Sequence, residues 1–191
     1  MIKAIIFDCF GVLTTDLWLE FKDKYFANDP VGLQKATDLN KETDEGLIKH
    51  EDFIEQVTKL AGVSADEANL LPGRNAPNTA LFSYIKEELK PKYKIGMLSN
   101  AAGNWLDELF RPEQLELFDA VVLSYEINYI KPHPKIYQAI EQKLGAESRE
   151  CVFVDDREGY CTAAEDLGMQ AIHYRNFEQF RAEIEQILSH A

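Results

Sequence analysis

Five short apolar runs, separated by longer stretches with helical periodicity, constrain this chain more than any other feature. The runs are Ile2–Phe7, Tyr93–Leu98, Phe118–Leu123, Cys151–Val154 and Met169–His173. Several are apolar on consecutive residues, so the strands they form must be covered on both faces, as in a parallel sheet flanked by helices. Between them, Thr79–Leu89 repeats Leu81, Phe82, Ile85 and Leu89 at helical spacing. Pro134–Leu144 repeats Ile136, Tyr137, Ile140 and Leu144 behind a proline, which a first helical turn tolerates. Gly159–Leu167 and Phe177–Leu188 follow the same pattern. Alternating strands and helices predict an α/β fold with a mainly parallel sheet.

One segment departs from this alternation. From about Asp16 to Leu71 no strand pattern occurs, and Leu17–Ala27, Val31–Asn40, His50–Leu60 and Ala65–Leu70 read as helices. The stretch LPGRNAPN at 71–78 then supplies two prolines and a glycine, a loop or hinge signal. The expected organisation is a Rossmann-like, three-layer core of residues 1–15 and 77–191, with a small helical cap of residues 16–76 inserted after the first strand. Trp18, Phe21, Tyr25 and Phe26 recur at helical spacing and read mostly as the cap's own packing, with room for one or two near Leu13–Asp16 to face the substrate. Arg74 and Asn75 fall in the hinge.

The formal net charge of −13 opposes non-specific binding to nucleic acid and attachment to anionic membranes. No apolar run approaches the ~20 residues that span a bilayer. The opening MIKAIIFDCFGVL reads as a core strand, not as a signal peptide. Cys9, Cys151 and Cys161 form no CxxC pair, which argues against disulfides and structural zinc and for a reducing, cytoplasmic setting. Nothing in the pattern sets an oligomeric state. An anionic substrate on so acidic a chain needs a local cation.

In open parallel sheets ligands sit beyond the carboxyl ends of the strands. There the chain carries Asp8, then Ser99-Asn100, then Lys131 in the loop after Ser124, then Asp155-Asp156. Asp8 and Asp156 suit a hard divalent cation such as Mg²⁺, which takes oxygen ligands and a phosphate oxygen. A carboxylate next to such a phosphate can form an aspartyl-phosphate. Ser99 and Asn100 can donate to phosphate oxygens, and also cap the following helix, while Lys131 supplies positive charge for the transition state. Asp155 reads equally as a supporting group or a cap. His133 reads as a solvent-facing loop residue, and Cys9 and Cys161 read as packing. Arg157 can bind a substrate anion or simply cover the loop, and the pattern does not choose between the two.

At these residues the chain resembles the haloacid dehalogenase superfamily, in the branch with a small helical cap. The matching motifs are FDCFGVL (Phe7–Leu13), MLSN (Met97–Asn100), KPHPKIY (Lys131–Tyr137), VFVDD (Val152–Asp156) and the downstream AAEDLGMQAI (Ala163–Ile172). The resemblance implies a phosphatase acting on a small phosphorylated metabolite, with Asp8 as nucleophile and Lys131 as catalytic partner. It implies Mg²⁺ held by Asp8, the Phe10 carbonyl and Asp156.

Position 10 departs from the family pattern. Most phosphatases of the superfamily have a second Asp two residues after the nucleophile, serving as general acid and base, whereas a phenyl ring transfers no proton. Three readings follow: a phosphatase with a weakened acid–base step, a member that binds phosphate or a partner without turnover, and a metal-independent 2-haloacid dehalogenase.

Overall fold

The computed structural model describes residues 1–70 and 72–189; Leu71, the first residue of the expected hinge, lies outside them. Strands β1 (Ala4–Phe7), β2 (Lys94–Ser99), β3 (Ala120–Leu123), β4 (Cys151–Asp155) and β5 (Gln170–His173) form one sheet. All its pairings are parallel, in the order β3-β2-β1-β4-β5. Each apolar run contains its strand to within two residues, the usual uncertainty at element ends.

Helices α1 (Leu17–Phe26), α2 (Pro30–Asp44), α3 (His50–Ala61) and α4 (Ala65–Ala68) follow β1. Helix α5 (Thr79–Tyr84) precedes β2 and continues through a wider π turn over Ile85–Leu89. Two short helices, α6 (Leu106–Leu109) and α7 (Pro112–Leu115), separate β2 from β3. Then come α8 (Ser124–Ile127) and α9 (Pro134–Leu144), α10 (Glu158–Asp166) after β4, and α11 (Phe177–Ser189) after β5. No helix among the described residues is long and apolar enough to cross a membrane.

Alternate residues of β1 divide the core. Ile5 and Phe7 pack with Leu81, Phe82 and Ile85 on one side and with Phe180 and Ile184 of α11. Ala4 and Ile6 pack with Ile136, Tyr137, Ile140 and Leu144 of α9 and Ala164 of α10. The sheet is thus the middle of three layers, as a Rossmann-like α/β fold requires.

The helices after β1 bury a separate cluster of Phe21, Phe26, Ala36, Phe53, Val57 and Ala68, with Trp18 and Tyr25 against it. The chain enters and leaves this segment side by side. Thr15 N donates to the Ala76 carbonyl at 3.1 Å, and Ala76 N donates to Thr15 Oγ1 at 3.0 Å. Helix α2 runs four residues past the Val31–Asn40 stretch, because its last turn is polar and leaves no apolar periodicity to detect.

Because β2 and β3 lie on one side of β1 and β4 and β5 on the other, the strand order reverses between β1 and β4. That switch point opens a crevice at the carboxyl ends of the strands. Asp8 follows β1 there, beside Asp155 and Asp156 at the end of β4.

Candidate active site

Asp8 is held from behind by the sheet, its backbone N–H donating to the Val154 carbonyl at 2.8 Å. The chain then turns sharply at Gly11, whose φ of +89° strains any residue with a side chain. Leu13 N and Thr14 N both donate to the Cys9 carbonyl, closing the turn. A Cβ on Gly11 would lie 2.5 Å from Asp156 Oδ2, so glycine also lets the turn close onto that carboxylate.

Lys131 lies at the centre of the site at 1% exposure. Its Nζ donates to Asp8 Oδ1 at 2.6 Å and to Asp155 Oδ2 at 2.6 Å. It also lies 5.5 Å from the centre of the Phe153 ring and 5.2 Å from that of Tyr160. Burial alone would lower the ammonium's proton affinity, but Asp155 and Asp8 outweigh it and keep it firmly protonated. Asn100 locks this lysine's backbone: Lys131 N donates to Asn100 Oδ1 at 2.8 Å, and Asn100 Nδ2 donates to the Lys131 carbonyl at 3.3 Å. Ser99 is buried, its hydroxyl donating to the Asn100 carbonyl at 3.3 Å. The structure therefore brings Asn100 into contact with the lysine loop, a contact the strand-end pattern does not reveal.

Asp155 is fully buried and serves both as partner of Lys131 and as a cap, its Oδ1 accepting from Arg157 N at 2.9 Å. Asp8, Asp155 and Asp156 each offer an oxygen, all within 4.8 Å of one another. Burial pushes the Asp8 carboxyl up to about 8, with Lys131 opposing the rise and Asp155 and Asp156 adding to it. Burial and the neighbouring Asp155 also raise Asp156. Asp156 Oδ1 is buried without a hydrogen-bond partner among the described residues. Three crowded carboxylates, one with an oxygen unpaired among the described residues, outnumber the nearby Lys131 and Arg157 and fit a hard divalent cation with oxygen ligands. Phe10 is half-buried and lines the cavity above Asp8.

The other predicted positions fall outside this centre. His133 is exposed, its Nδ1 accepting from Lys135 N at 3.2 Å, so it caps α9. Cys9 and Cys161 are buried. Burial, with Asp8 beside it, pushes the Cys9 thiol well up.

The cavity in front of Asp8 and Lys131 is also lined by Trp18 and Arg157, and by Asp16, Asp44, His50 and Trp105, which no motif singles out. Arg157 lies 3.7 Å from Asp16 Oδ2, and Asp16 Oδ1 accepts from Trp18 N and Leu19 N at the start of α1. A polar residue before an apolar helix is the N-cap signal for Asp16. Asp44 carries a different one: an acid ending a helix, where the macrodipole disfavours negative charge.

Known proteins resemble this chain in sequence and in fold. The description haloacid dehalogenase-like hydrolase matches residues 2–168. The chain is 25% identical to the sesquiterpene phosphatase astK of Aspergillus oryzae, over 90% of this chain and 89% of that protein. It is also 25% identical to the D-ribitol-5-phosphate phosphatase of Bacteroides thetaiotaomicron, over 99% of this chain and 100% of that protein. A crystal structure of a haloacid dehalogenase family enzyme from Bacteroides thetaiotaomicron, in complex with magnesium and inorganic phosphate, is 26% identical. It covers 92% of this chain and 95% of its own, with a TM-score of 0.67. A match spanning most of the sequence, on a parallel sheet with acids at its switch point, places the chain in the haloacid dehalogenase-like hydrolase family.

Proposed function

We propose that this protein hydrolyses small phosphomonoesters, with Asp8 as the nucleophile that becomes an aspartyl-phosphate. The observation that carries this reading is the pairing of Asp8 with a fully buried lysine 2.6 Å away, beside the unpartnered Asp156 oxygen. Lys131 holds Asp8 in place and offers positive charge to the phosphoryl oxygens as charge develops on them. Asn100 fixes the backbone of Lys131, and Ser99 with Asn100 forms the phosphate-facing end of β2. Asp8, the Phe10 carbonyl and Asp156 would hold Mg²⁺. Bound there, it would neutralise the carboxylates and polarise the phosphoryl group. The two full-length phosphatase relatives support the same reaction class.

A metal-independent dehalogenase has no need of a third carboxylate with an unpaired oxygen, so this feature favours the phosphatase. The expected result is Mg²⁺-dependent release of phosphate from an aryl phosphate, abolished by Asp8→Asn and by chelation. A folded preparation that releases no phosphate from a broad ester panel would sink the reading. Halide release from a 2-haloacid without metal would replace it with the dehalogenase.

A further inference from the structure

Phe10 leaves the reaction without its usual proton carrier, and the cavity is lined by a further carboxyl group. We propose that Asp44, the last residue of α2, protonates the leaving oxygen and later activates water; this rests on the phosphatase reading above. Asp44 lines the same cavity as Asp8, Phe10 and Lys131.

Its place is set by the core. Ser124 Oγ, at the end of β3, donates to the Asp44 carbonyl at 2.5 Å, and Asn128 Nδ2 donates to the Glu45 carbonyl at 3.0 Å. Gly46, with φ +75°, turns so close that a Cβ there would lie 3.3 Å from Asn128 Nδ2 and 3.4 Å from the Tyr125 carbonyl. The end of α2 is therefore docked on the segment that leads to Lys131. Asn40 Nδ2 donates to Asp44 Oδ2 at 2.8 Å and orients the carboxyl.

The other acid lining the cavity away from β1 and β4, Asp16, has Oδ1 accepting two backbone N–H groups and Oδ2 3.7 Å from Arg157, so both its oxygens are engaged at the start of α1. Burial pushes Asp44 instead up to about 7, with Arg157 and the Asn40 bond pulling down. A carboxyl group that titrates near neutrality can give a proton and take one back.

The sequence of events balances. Asp8, as the carboxylate that the Lys131 ammonium favours, attacks phosphorus through one oxygen, the ester P–O bond breaks, and the leaving oxygen takes the Asp44 proton and departs as the alcohol. Asp44, now a carboxylate, takes a proton from a water whose oxygen attacks the aspartyl-phosphate. The bond from phosphorus to Asp8 breaks, inorganic phosphate leaves, and both acids return to their starting states.

The test compares an alkyl phosphate, whose leaving group needs a proton, with p-nitrophenyl phosphate, whose leaving group does not. Asp44→Asn is expected to lower kcat on the alkyl ester by ~10²–10⁴-fold. With the nitrophenyl ester it keeps the initial burst of nitrophenolate, while steady turnover slows and phosphoenzyme accumulates on Asp8. Adding Phe10→Asp to Asp44→Asn is expected to recover alkyl turnover at least tenfold. Loss of the nitrophenolate burst itself, no loss on either ester, or a loss that Phe10→Asp does not repair overturns Asp44. So does the same signature appearing in His50→Gln in its place. A wild-type protein inactive on both esters overturns the phosphatase reading itself.

Discussion

A lysine at 1% exposure is costly, because removing an ammonium group from water carries a penalty of several kcal/mol. Lys131 offsets that cost with two carboxylates, each 2.6 Å away. Removing it therefore leaves Asp8 and Asp155 buried and facing each other without a cation. Lys131→Met should lower the unfolding free energy by about 3–5 kcal/mol, the range seen when one partner of a buried pair is deleted. Urea denaturation in metal-free buffer measures this, with Lys35→Met as the control. Lys35 is exposed on α2, so its loss should stay within ~0.5 kcal/mol. Equal midpoints for the two variants would show that the central pair adds nothing to stability. The sequence reveals Lys131 through its place after the third strand and before Pro132. It does not show that one lysine serves two acids, because that depends on three loops converging in space.

At the level of elements, the turn leaving β1 couples backbone conformation to the site. Gly11 combines a positive φ with a missing Cβ that would meet Asp156 at 2.5 Å. Gly11→Ala therefore strains the turn by about 1–3 kcal/mol and also pushes the carboxylate aside. If Asp156 holds the cation, the Mg²⁺ concentration for half-maximal activity should rise about 10–100-fold, the scale for disturbing groups that orient metal ligands. A Gly11→Ala enzyme with unchanged Mg²⁺ dependence would separate Asp156 from metal binding. This strand was legible in the sequence because consecutive apolar residues between polar flanks have few other uses. The long helices were legible because their buried stripes recur every three or four residues. The short helices α6, α7 and α8 were not, since four residues are too few to show a period; α4, equally short, was read only as part of the longer stretch Ala65–Leu70. The carboxyl end of α2 was lost for a related reason. Its final turn is polar, and the contacts that place Asp44 come from Ser124 and Asn128, 80 or more residues away along the chain.

For the molecule as a whole, a net charge of −13 opposes compactness, and three carboxylates at the switch point concentrate that repulsion. A divalent cation should then act as a folding ligand as well as an activator. Binding to the folded state alone adds about 2.7 kcal/mol at a hundred times Kd. For a chain of this size that corresponds to a rise in Tm of roughly 5–10 °C. General screening by salt also stabilises an acidic protein, so KCl at matched ionic strength supplies the baseline. The difference between MgCl₂ and KCl isolates the site, and Asp156→Asn should abolish that difference while leaving the KCl response intact. If both salts raise Tm equally in the wild type, the acids at the switch point repel one another without binding a cation. The buried, unpartnered oxygen of Asp156 would then be a cost of the fold with no compensating ligand.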